Sequence, residues 1–350
     1  MNPEPFRIEP TFSPRIWGAH SLAPIYPDRS NLPEPIGEAW LTDVNCRIAT
    51  GPFAGKSLSE AWREMPLNWK GARLANAEHF PLLVKFLFPM DKLSVQAHPD
   101  DAYASVHEKS AGGRGKTEMW HVISAESGAQ VFLGLKPNVT REKFLAALQD
   151  DAVEELLMSR PVQATDTIFV PARTGHAIGP GMILYEVQQY SDLTYRVYDY
   201  GRRDSQGNPR ELHVEKALAV MNFGDSVAGK TSPLSLPASA GERKLLAACP
   251  YFATERWDFK ASVDIVASAG QQFELIVVLN GSGYIHCSGS PLPYRRGECW
   301  FIPAAMPRLT FQPEQGTSLI RTFVPDIAVL QKQLLASGVS ASQLSNTLFS

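Results

Sequence analysis

Short apolar runs, each followed by turn-forming residues, recur along most of the chain and predict a mainly β protein. Residues 81–98 (PLLVKFLFPMDKLSVQAH) predict two strands that are interrupted by Pro89, Met90 and Asp91. The stretches KTEMWHVISA and AQVFLGL, joined by turn residues at 126–128, predict two strands of a meander. Further strands are predicted in residues 166–189 (DTIFVPARTGHAIGPGMILYEVQQ).

Helical periodicity interrupts the β pattern in a few places. Apolar residues three or four positions apart predict helices in residues 57–65, 140–159, 211–223 and 326–337. The second of these stretches is expected to form two short helices. Ser57 or Ser59 can cap the first helix, because a serine side chain accepts a hydrogen bond from a free backbone N–H of the first turn.

The C-terminal third is predicted to form a smaller β unit. Its short strands follow one another at the close spacing that is typical of a small β-barrel or sandwich. The stretch LSLPASAGER before it is rich in Ser, Pro and Gly, which favours a linker. We therefore expect a larger β-barrel with helical insertions over residues 1–235 and a smaller barrel over residues 243–350.

Composition and charge limit the classes of partner. The 350 residues include 33 Lys and Arg against 36 Asp and Glu, a net charge of −3, so nothing favours a nucleic acid or a membrane surface as partner. The start, MNPEPFRIEP, lacks the pattern of a signal peptide, and the longest apolar runs are strand-sized. Four cysteines without a C-x-x-C pair suit a reducing compartment, and we expect a cytoplasmic protein.

Four polar residues have the chemistry and the positions of a metal site. Gln96 and His98 alternate along a strand and therefore share one face. Glu118 begins a predicted strand, and His176 lies in a tight turn between two strands. Two histidines and a carboxylate suit zinc, but also Fe(II) or Mn(II), and each residue could instead be an ordinary structural group. His121, three positions after Glu118, should face the other side of its strand.

Several ordered motifs resemble the type I mannose-6-phosphate isomerases, and more narrowly their short bacterial form. The motifs are LSVQAHPDD, GKTEMWHVI, PARTGHAIGPGMILYEVQQYSDLTYRVYDYGR and RELHVEKAL, with PRIWGAHSL near the N-terminus. They span residues 7–223. The resemblance implies two cupin-like (jelly-roll) barrels, a sugar-phosphate substrate, and one zinc ion per chain, held in the first barrel only.

The resemblance also implies roles for individual residues. The implied zinc ligands are Gln96, His98, Glu118 and His176. The candidates for catalysis are Arg196, Lys116 and Glu186. The candidates for substrate binding are Trp17, Asp192, Lys85 and Lys92, the two lysines being considered for the phosphate.

Two positions depart from the family's usual pattern. Arg173 stands where the family usually has glycine in Pro-Ala-Gly-Thr-x-His, and Ala19 stands where it usually has the second glycine of Trp-Gly-Gly. We expect both residues near the pocket mouth, where they could alter substrate preference. Neither change removes an implied ligand.

These residues suit an isomerisation between an aldose phosphate and a ketose phosphate through a cis-enediol. The reaction moves a proton between two carbons, so it needs a base and a group that stabilises a developing oxyanion. Arg196 carries a permanent charge and can support the enediolate or the phosphate, although it could instead pair with Asp192 or Asp199 at the surface. Two other functions stay open: a metal-dependent cupin oxygenase or epimerase, and a non-catalytic cupin that binds a sugar phosphate.

Overall fold

Two pairs of β-sheets form most of the structure, a computed structural model that describes residues 2–204, 206–224, 229–266, 270–306 and 308–349. Neighbouring strands of the sheets run antiparallel, as in the pairings at the centre of each half. The prediction of a mainly β fold is confirmed. Among the described residues, no helix is both long enough and apolar enough to span a membrane.

Up to residue 230 the described chain has thirteen strands, and all of them except the first supply the first pair of sheets. They are β1 (Phe6–Ile8), β2 (Thr11–Ala19), β3 (Ile36–Trp40), β4 (Leu82–Leu87), β5 (Val95–Ala97), β6 (Glu118–Ala125), β7 (Gln130–Leu135), β8 (Leu157–Pro161), β9 (Thr167–Val170), β10 (His176–Ile178), β11 (Met182–Gln189), β12 (Tyr195–Tyr198) and β13 (Gly229–Lys230). The first large sheet has the order β13-β9-β6-β11-β4-β3-β2, and the first small sheet has the order β12-β5-β10-β7-β8. Strand β1 belongs to neither of them.

The remaining ten strands, together with β1, supply the second pair of sheets. They are β14 (Leu234–Leu236), β15 (Glu242–Ala248), β16 (Ala253–Phe259), β17 (Val263–Val266), β18 (Glu274–Asn280), β19 (Ser282–His286), β20 (Leu292–Arg295), β21 (Cys299–Ile302), β22 (Arg308–Pro313) and β23 (Thr317–Phe323). The second large sheet has the order β1-β21-β18-β23-β16-β15-β14, and the second small sheet has the order β17-β22-β19-β20. The strand predicted from the letters DIVASA corresponds to β17, and residues 267–269 lie outside the described residues.

The described residues form seven short α-helices, five between strands and two after the last strand. They are α1 (Leu58–Glu64), α2 (Leu67–Lys70), α3 (Asp101–His107), α4 (Arg141–Gln149), α5 (Val214–Val220), α6 (Ile327–Ala336) and α7 (Ala341–Leu344). Ser57, rather than Ser59, caps α1, and Glu60 completes a capping box with it. Of the two short helices predicted in residues 140–159, α4 forms, and a 3₁₀ turn over Val153–Leu156 takes the place of the second.

Strand β6 shows that the first large sheet is buried on both faces. Trp120 and Val122 join a core that also contains Leu133 of the first small sheet. Met119 lies on the opposite face, in the core between the two halves of the chain. Burial on both faces explains why these strands are almost continuously apolar in sequence.

The two large sheets pack against each other and thereby join the two halves of the chain. The Tyr185 hydroxyl of β11 lies 2.8 Å from Thr322 Oγ1 of β23. His121 Nε2 lies 3.2 Å from Arg256 Nη1 of β16. His121 therefore faces the second half, which confirms the prediction that it points away from Glu118.

Two predicted connections are wrong. Strands β6 and β7 are not paired as a meander, because the turn at 126–128 carries the chain from the first large sheet to the first small sheet. The predicted linker contains β14, which forms a hairpin with β15. In addition, β1 pairs with β21, so the N-terminal strand joins the second half. The domain limits at residues 235 and 243 and the jelly-roll organisation stay predictions.

A network of charged residues is buried inside the second half. Arg321 Nε donates a hydrogen bond of 2.8 Å to Glu274 Oε2, and Arg321 Nη1 lies 3.3 Å from Glu255 Oε2. Glu255 also accepts from Arg243 at 2.7 Å and from the Trp257 indole N–H at 3.0 Å. Arg321, Glu255 and Glu274 are all buried, so each charge is compensated within the protein rather than by water.

We predict that Arg321→Ala strongly destabilises the fold. The substitution leaves Glu255 and Glu274 buried without their main cation, which should lower the free energy of unfolding by about 3–5 kcal/mol in urea denaturation. Arg308→Ala is the matched control, because the exposed Arg308 pairs with Asp264 at the surface, where solvent screens the charges. Equal losses in the two variants would contradict the prediction.

Candidate metal centre and adjoining pocket

The four predicted metal ligands come together between the first large sheet and the first small sheet. Gln96 on β5 and His176 on β10 are directly paired, and His98 follows the end of β5. Glu118 is the first residue of β6, in the facing sheet. The ligand atoms of His98, Glu118 and His176 all lie within 4.8 Å of one another, and the three side chains are buried.

The side-chain distances are those of a tight cluster. Glu118 Oε1 lies 3.3 Å from His98 Nε2, and Glu118 Oε2 lies 3.7 Å from His176 Nε2. Gln96 Nε2 lies 3.3 Å from His176 Nε2. Because the two ends of an amide have nearly the same shape, a half-turn of the Gln96 amide would direct its oxygen to the same place.

Backbone carbonyls fix the orientation of both imidazole rings. His98 Nδ1 lies 2.9 Å from the carbonyl oxygen of Leu193, and His176 Nδ1 lies 2.9 Å from that of Thr174. A carbonyl only accepts, so each Nδ1 must carry the hydrogen and each Nε2 keeps its lone pair. Burial and the charge of Lys116 lower the pKa of His98 to about 3, which keeps this ring neutral. Both rings therefore direct the lone pair of Nε2 towards the cluster, as metal-binding histidines do.

Glu118 supplies the negative charge of the cluster. Among the described residues, neither carboxylate oxygen accepts a hydrogen bond, and the Lys116 ammonium lies 2.7 Å away as an ion-pair partner. Burial opposes ionisation, but the charge of Lys116 holds the pKa of Glu118 well below its usual range. An ionised carboxylate with free lone pairs beside two neutral imidazoles fits a divalent metal ion.

A cavity of about 510 Å³ opens beside the metal ligands. Its lining includes seven of the predicted site residues: Trp17, Lys85, Gln96, Lys116, Glu186, Asp192 and Arg196. Lys116 reaches both the cavity and the ligands, since its ammonium lies 3.2 Å from His98 Nε2. The cavity therefore joins the metal ligands to the predicted catalytic and substrate-binding side chains.

Opposite charges face each other on the floor of this cavity. Lys85 Nζ lies 3.5 Å from Glu186 Oε2 and 3.7 Å from Glu38 Oε1. The Trp120 indole N–H donates to Glu186 Oε1 at 3.0 Å. Burial and the charge of Glu118 raise the pKa of Glu186 to about 7. Glu186 is thus held in one orientation and binds a proton more readily than an exposed glutamate.

Arg196 is a cation on the opposite wall. It lies on β12, whereas Glu186 lies on β11, so the bend between these strands places the two residues in facing sheets. Arg196 Nε lies 3.3 Å from Ser94 Oγ, and Nη1 donates to the carbonyl oxygen of Glu211 at 2.9 Å. Within the described part of the chain, Arg196 has no carboxylate partner in an ion pair.

Asp199, one of the two alternative partners of Arg196, is already paired with other cations. The carboxylate of Asp199 pairs with Arg202 and with Arg210. Burial and the charge of Arg210 lower the pKa of Arg196, which reflects the excess of positive charge in this part of the wall. A bound anion would relieve that excess.

Three other residues that the sequence analysis singled out, Lys92, Arg173 and Ala19, do not line the cavity. Lys92 Nζ binds both carboxylate oxygens of Glu154, at 2.7 and 2.8 Å. Arg173 Nε donates to the carbonyl oxygen of Val220 at 2.9 Å, and Ala19 is buried in β2 opposite Ile36. Neither Arg173 nor Ala19 is among the residues that line the cavity, and the expectation that they lie near its mouth stays a prediction. Arg173 has φ +71°, a conformation that favours glycine, which accounts for the family's usual residue there.

Several residues that line the cavity were not predicted from the sequence: Arg15, Glu38, Arg210, His213 and Lys216. Arg15 and Glu38 form an ion pair between neighbouring strands, and no local spacing reveals such a pair. His213 and Lys216 lie three positions apart at the start of α5. That helical spacing was the one sequence signal that could have placed them together.

Several proteins that are similar to this chain in sequence or fold are named mannose-6-phosphate isomerases. The family model for the type I phosphomannose isomerase catalytic domain matches residues 6–126. The mannose-6-phosphate isomerase of Streptococcus mutans is 34% identical over 86% of this chain and 92% of its own length. The mannose-6-phosphate isomerase ManA of Bacillus subtilis is also 34% identical, over 87% of this chain and 94% of its own length.

A solved structure agrees with these sequence relatives. The crystal structure of a mannose 6-phosphate isomerase from Bacillus subtilis superposes with a TM-score of 0.82 at 30% identity. The match covers 91% of this chain and 99% of the crystal chain. Over this length, identity and fold together identify the chain as a member of the type I phosphomannose isomerase family.

Proposed function

We propose that the chain is a zinc-dependent isomerase that interconverts mannose 6-phosphate and fructose 6-phosphate through a cis-enediol. The observation that carries the proposal is the buried cluster of His98, Glu118 and His176 beside a cavity that contains Glu186 and Arg196, a cation without an ion-pair partner in the described part of the chain. The names of the relatives that match most of the chain support the same substrate. We also propose that the enzyme acts in the cytoplasm.

One zinc ion would be held by Gln96, His98, Glu118 and His176. Bound there, it would act as a Lewis acid that polarises the carbonyl oxygen of the open-chain sugar. Gln96 lines the cavity, so the ligand set borders the space that a substrate would fill. The sequence of residues 243–350 contains a single histidine, His286, and we propose no second ion there.

Glu186 is our candidate for the group that moves the proton. Trp120 holds one of its oxygens, and the other faces Lys85 inside the cavity. A carboxylate fixed in this way can take the proton from one carbon of the sugar and return it to the neighbouring carbon. The electron pair of the broken C–H bond forms the enediol double bond while the carbonyl π pair moves to its oxygen, which takes up a proton. In the second step of the reaction, the neighbouring hydroxyl loses its proton and becomes the new carbonyl, and the pair of the double bond takes the returned proton as the new C–H bond. Lys116 can donate a hydrogen bond to a sugar oxygen from the same side.

Arg196 would stabilise negative charge on the substrate. Its position on the wall opposite Glu186 lets it reach either the developing enediolate or the phosphate group. A planar guanidinium can donate two parallel hydrogen bonds to such an anion. An oxygenase pocket has no need of this cation, and a non-catalytic binding protein has no need of Glu186 beside a complete ligand set.

The first prediction concerns the reaction and its metal. Purified protein should convert mannose 6-phosphate to fructose 6-phosphate in a coupled assay, lose this activity after chelation, and regain it when zinc is added. Zinc-loaded, folded protein that turns over no mannose 6-phosphate would reject the proposed function. Activity that survives complete removal of metal would reject only the metal dependence.

The second prediction concerns the ligands. Purified protein should carry about one zinc ion per chain by elemental analysis, and His98→Ala or His176→Ala should lose it, because each removes one ligand from a four-ligand site. His121→Gln is the control, since this buried histidine faces the second half and should leave the zinc content unchanged. Full retention of zinc in both alanine variants would contradict the ligand assignment.

The third prediction concerns Arg196. Arg196→Ala should lower kcat by roughly 10²–10³-fold, the scale for the loss of one pre-organised donor to transition-state charge. Zinc content should be unchanged, because Arg196 is not a ligand, and Arg196→Lys should restore activity only in part. Lys92→Ala, outside the cavity, is the control. A raised KM with a normal kcat would instead make Arg196 a uniform binder of the phosphate.

A further inference from the structure

We propose that Tyr251, which belongs to the second half of the chain, is a positioning residue for Lys116. It acts through one hydrogen bond, from its hydroxyl to Asp101 Oδ2 at 2.8 Å. The inference rests on the proposed function insofar as Lys116 contacts the substrate. This contact gives the second half of the chain a part in the reaction, although the second half contributes none of the implied metal ligands.

The segment that carries Lys116 is held by its backbone. Gly115 N donates to Asp101 Oδ1 at 2.7 Å, and Lys116 N donates to the carbonyl oxygen of Pro99 at 3.0 Å. Thr117 N donates to Gln189 Oε1 at 2.9 Å. Three consecutive N–H groups are thus directed at fixed acceptors, immediately before Glu118 begins β6.

Asp101 is the point at which these contacts converge. Besides Gly115 N, its Oδ1 accepts from Gln189 Nε2 at 3.0 Å, and the same Gln189 side chain holds Thr117 N. The remaining oxygen, Oδ2, accepts from Tyr251. Any rotation of the Asp101 carboxylate therefore disturbs the hydrogen bonds on both sides of Lys116.

Close packing transmits such a rotation to the pocket. A Cβ atom at Gly115 would lie 2.6 Å from the Asp101 nitrogen, so the two backbones are in direct contact. Beyond this contact, the Lys116 ammonium lies 2.7 Å from Glu118 Oε1 and 3.2 Å from His98 Nε2. A small displacement of the segment would therefore alter contacts that the reaction requires.

Tyr251 is placed by the turn between β15 and β16. Cys249 N donates to the carbonyl oxygen of Phe252 at 2.8 Å, which closes this turn around Tyr251. The Tyr251 side chain is half-buried at the junction of the two halves. Since the turn joins two strands of the second large sheet, the tyrosine hydroxyl is a fixed donor rather than a mobile one.

The test is Tyr251→Phe, which removes only the hydroxyl group. We expect kcat to fall about 5- to 20-fold while KM for mannose 6-phosphate changes less than about twofold, because geometry rather than substrate affinity is lost. Zinc content should stay at the parent level. Hydrogen exchange by mass spectrometry should show faster exchange in a peptide that contains residues 115–117.

Tyr185→Phe is the matched control. It also removes a tyrosine hydroxyl that bridges the two halves, to Thr322, but it does not contact the Lys116 segment. We expect hydrogen exchange at residues 115–117 to match that of the parent protein. We also expect kcat to stay within about twofold of the parent value, the same margin as was given for KM of Tyr251→Phe. Equal effects of the two substitutions on exchange and kcat would overturn the inference, because they would indicate a general loosening between the halves.

A second variant tests the route through Asp101. In an Asp101→Ala background, Tyr251→Phe should cause no further fall in kcat and no further loss of protection from hydrogen exchange at residues 115–117. The reason is that Asp101, the hydrogen-bond partner of Tyr251, is already absent. Additive losses would overturn the inference. The exchange measurement needs no turnover, so it still judges the positioning role if the protein fails to isomerise mannose 6-phosphate, whereas that failure would reject the proposed function.

Discussion

The buried negative charge of Glu118 is the constraint on which the rest of the site depends. A carboxylate removed from water must be compensated by nearby cations or by a metal ion, because its solvation is lost. Here the compensating cation, Lys116, comes from the preceding loop, and the imidazoles that could share a metal ion with Glu118 come from the end of β5 (His98) and from β10 (His176). The charge therefore requires the two sheets of the first half to meet in one arrangement.

The second half supports this arrangement from behind. The face of the first large sheet opposite the ligands packs on the second large sheet, through contacts such as Tyr185 with Thr322. The first small sheet is covered instead by α4 and α5, in a core that includes Phe144 and Leu218. Each wall of the cavity thus has its own apolar backing, which limits the motion of the polar side chains inside.

Local patterns predicted the strands well but not how they pair. Strands β4, β5 and β11 follow from apolar runs and turn residues, which are properties of a few neighbouring residues. Residues such as those of the turn at 126–128 suit a turn between two paired strands and also a turn that leads from one sheet to the other. The sequence therefore did not show that the chain crosses between sheets here. The hairpin of β14 was hidden by a composition rich in Ser, Pro and Gly, which strand ends and linkers share.

The site was predictable where its residues belong to motifs and not where they meet only in space. The alternation of Gln96 and His98 is a local signal, but their grouping with Glu118 and His176 was one interpretation among several until the family resemblance implied it as a ligand set. Glu38 was missed because its partner Lys85 lies on another strand. Lys92 was considered for the phosphate because nothing local shows that its side chain turns to Glu154.

The sharing of one sheet by two cores has a consequence for how such an enzyme can change during evolution. On β6, Glu118 and Trp120, which serve the site, alternate with Met119 and His121, which face the second half, so a slip of one position would exchange the two sets. A substitution on this strand is therefore selected at the same time for chemistry and for assembly. New substrate preferences should arise mainly in the connections, such as residues 192–194, which border the cavity and carry no such double burden.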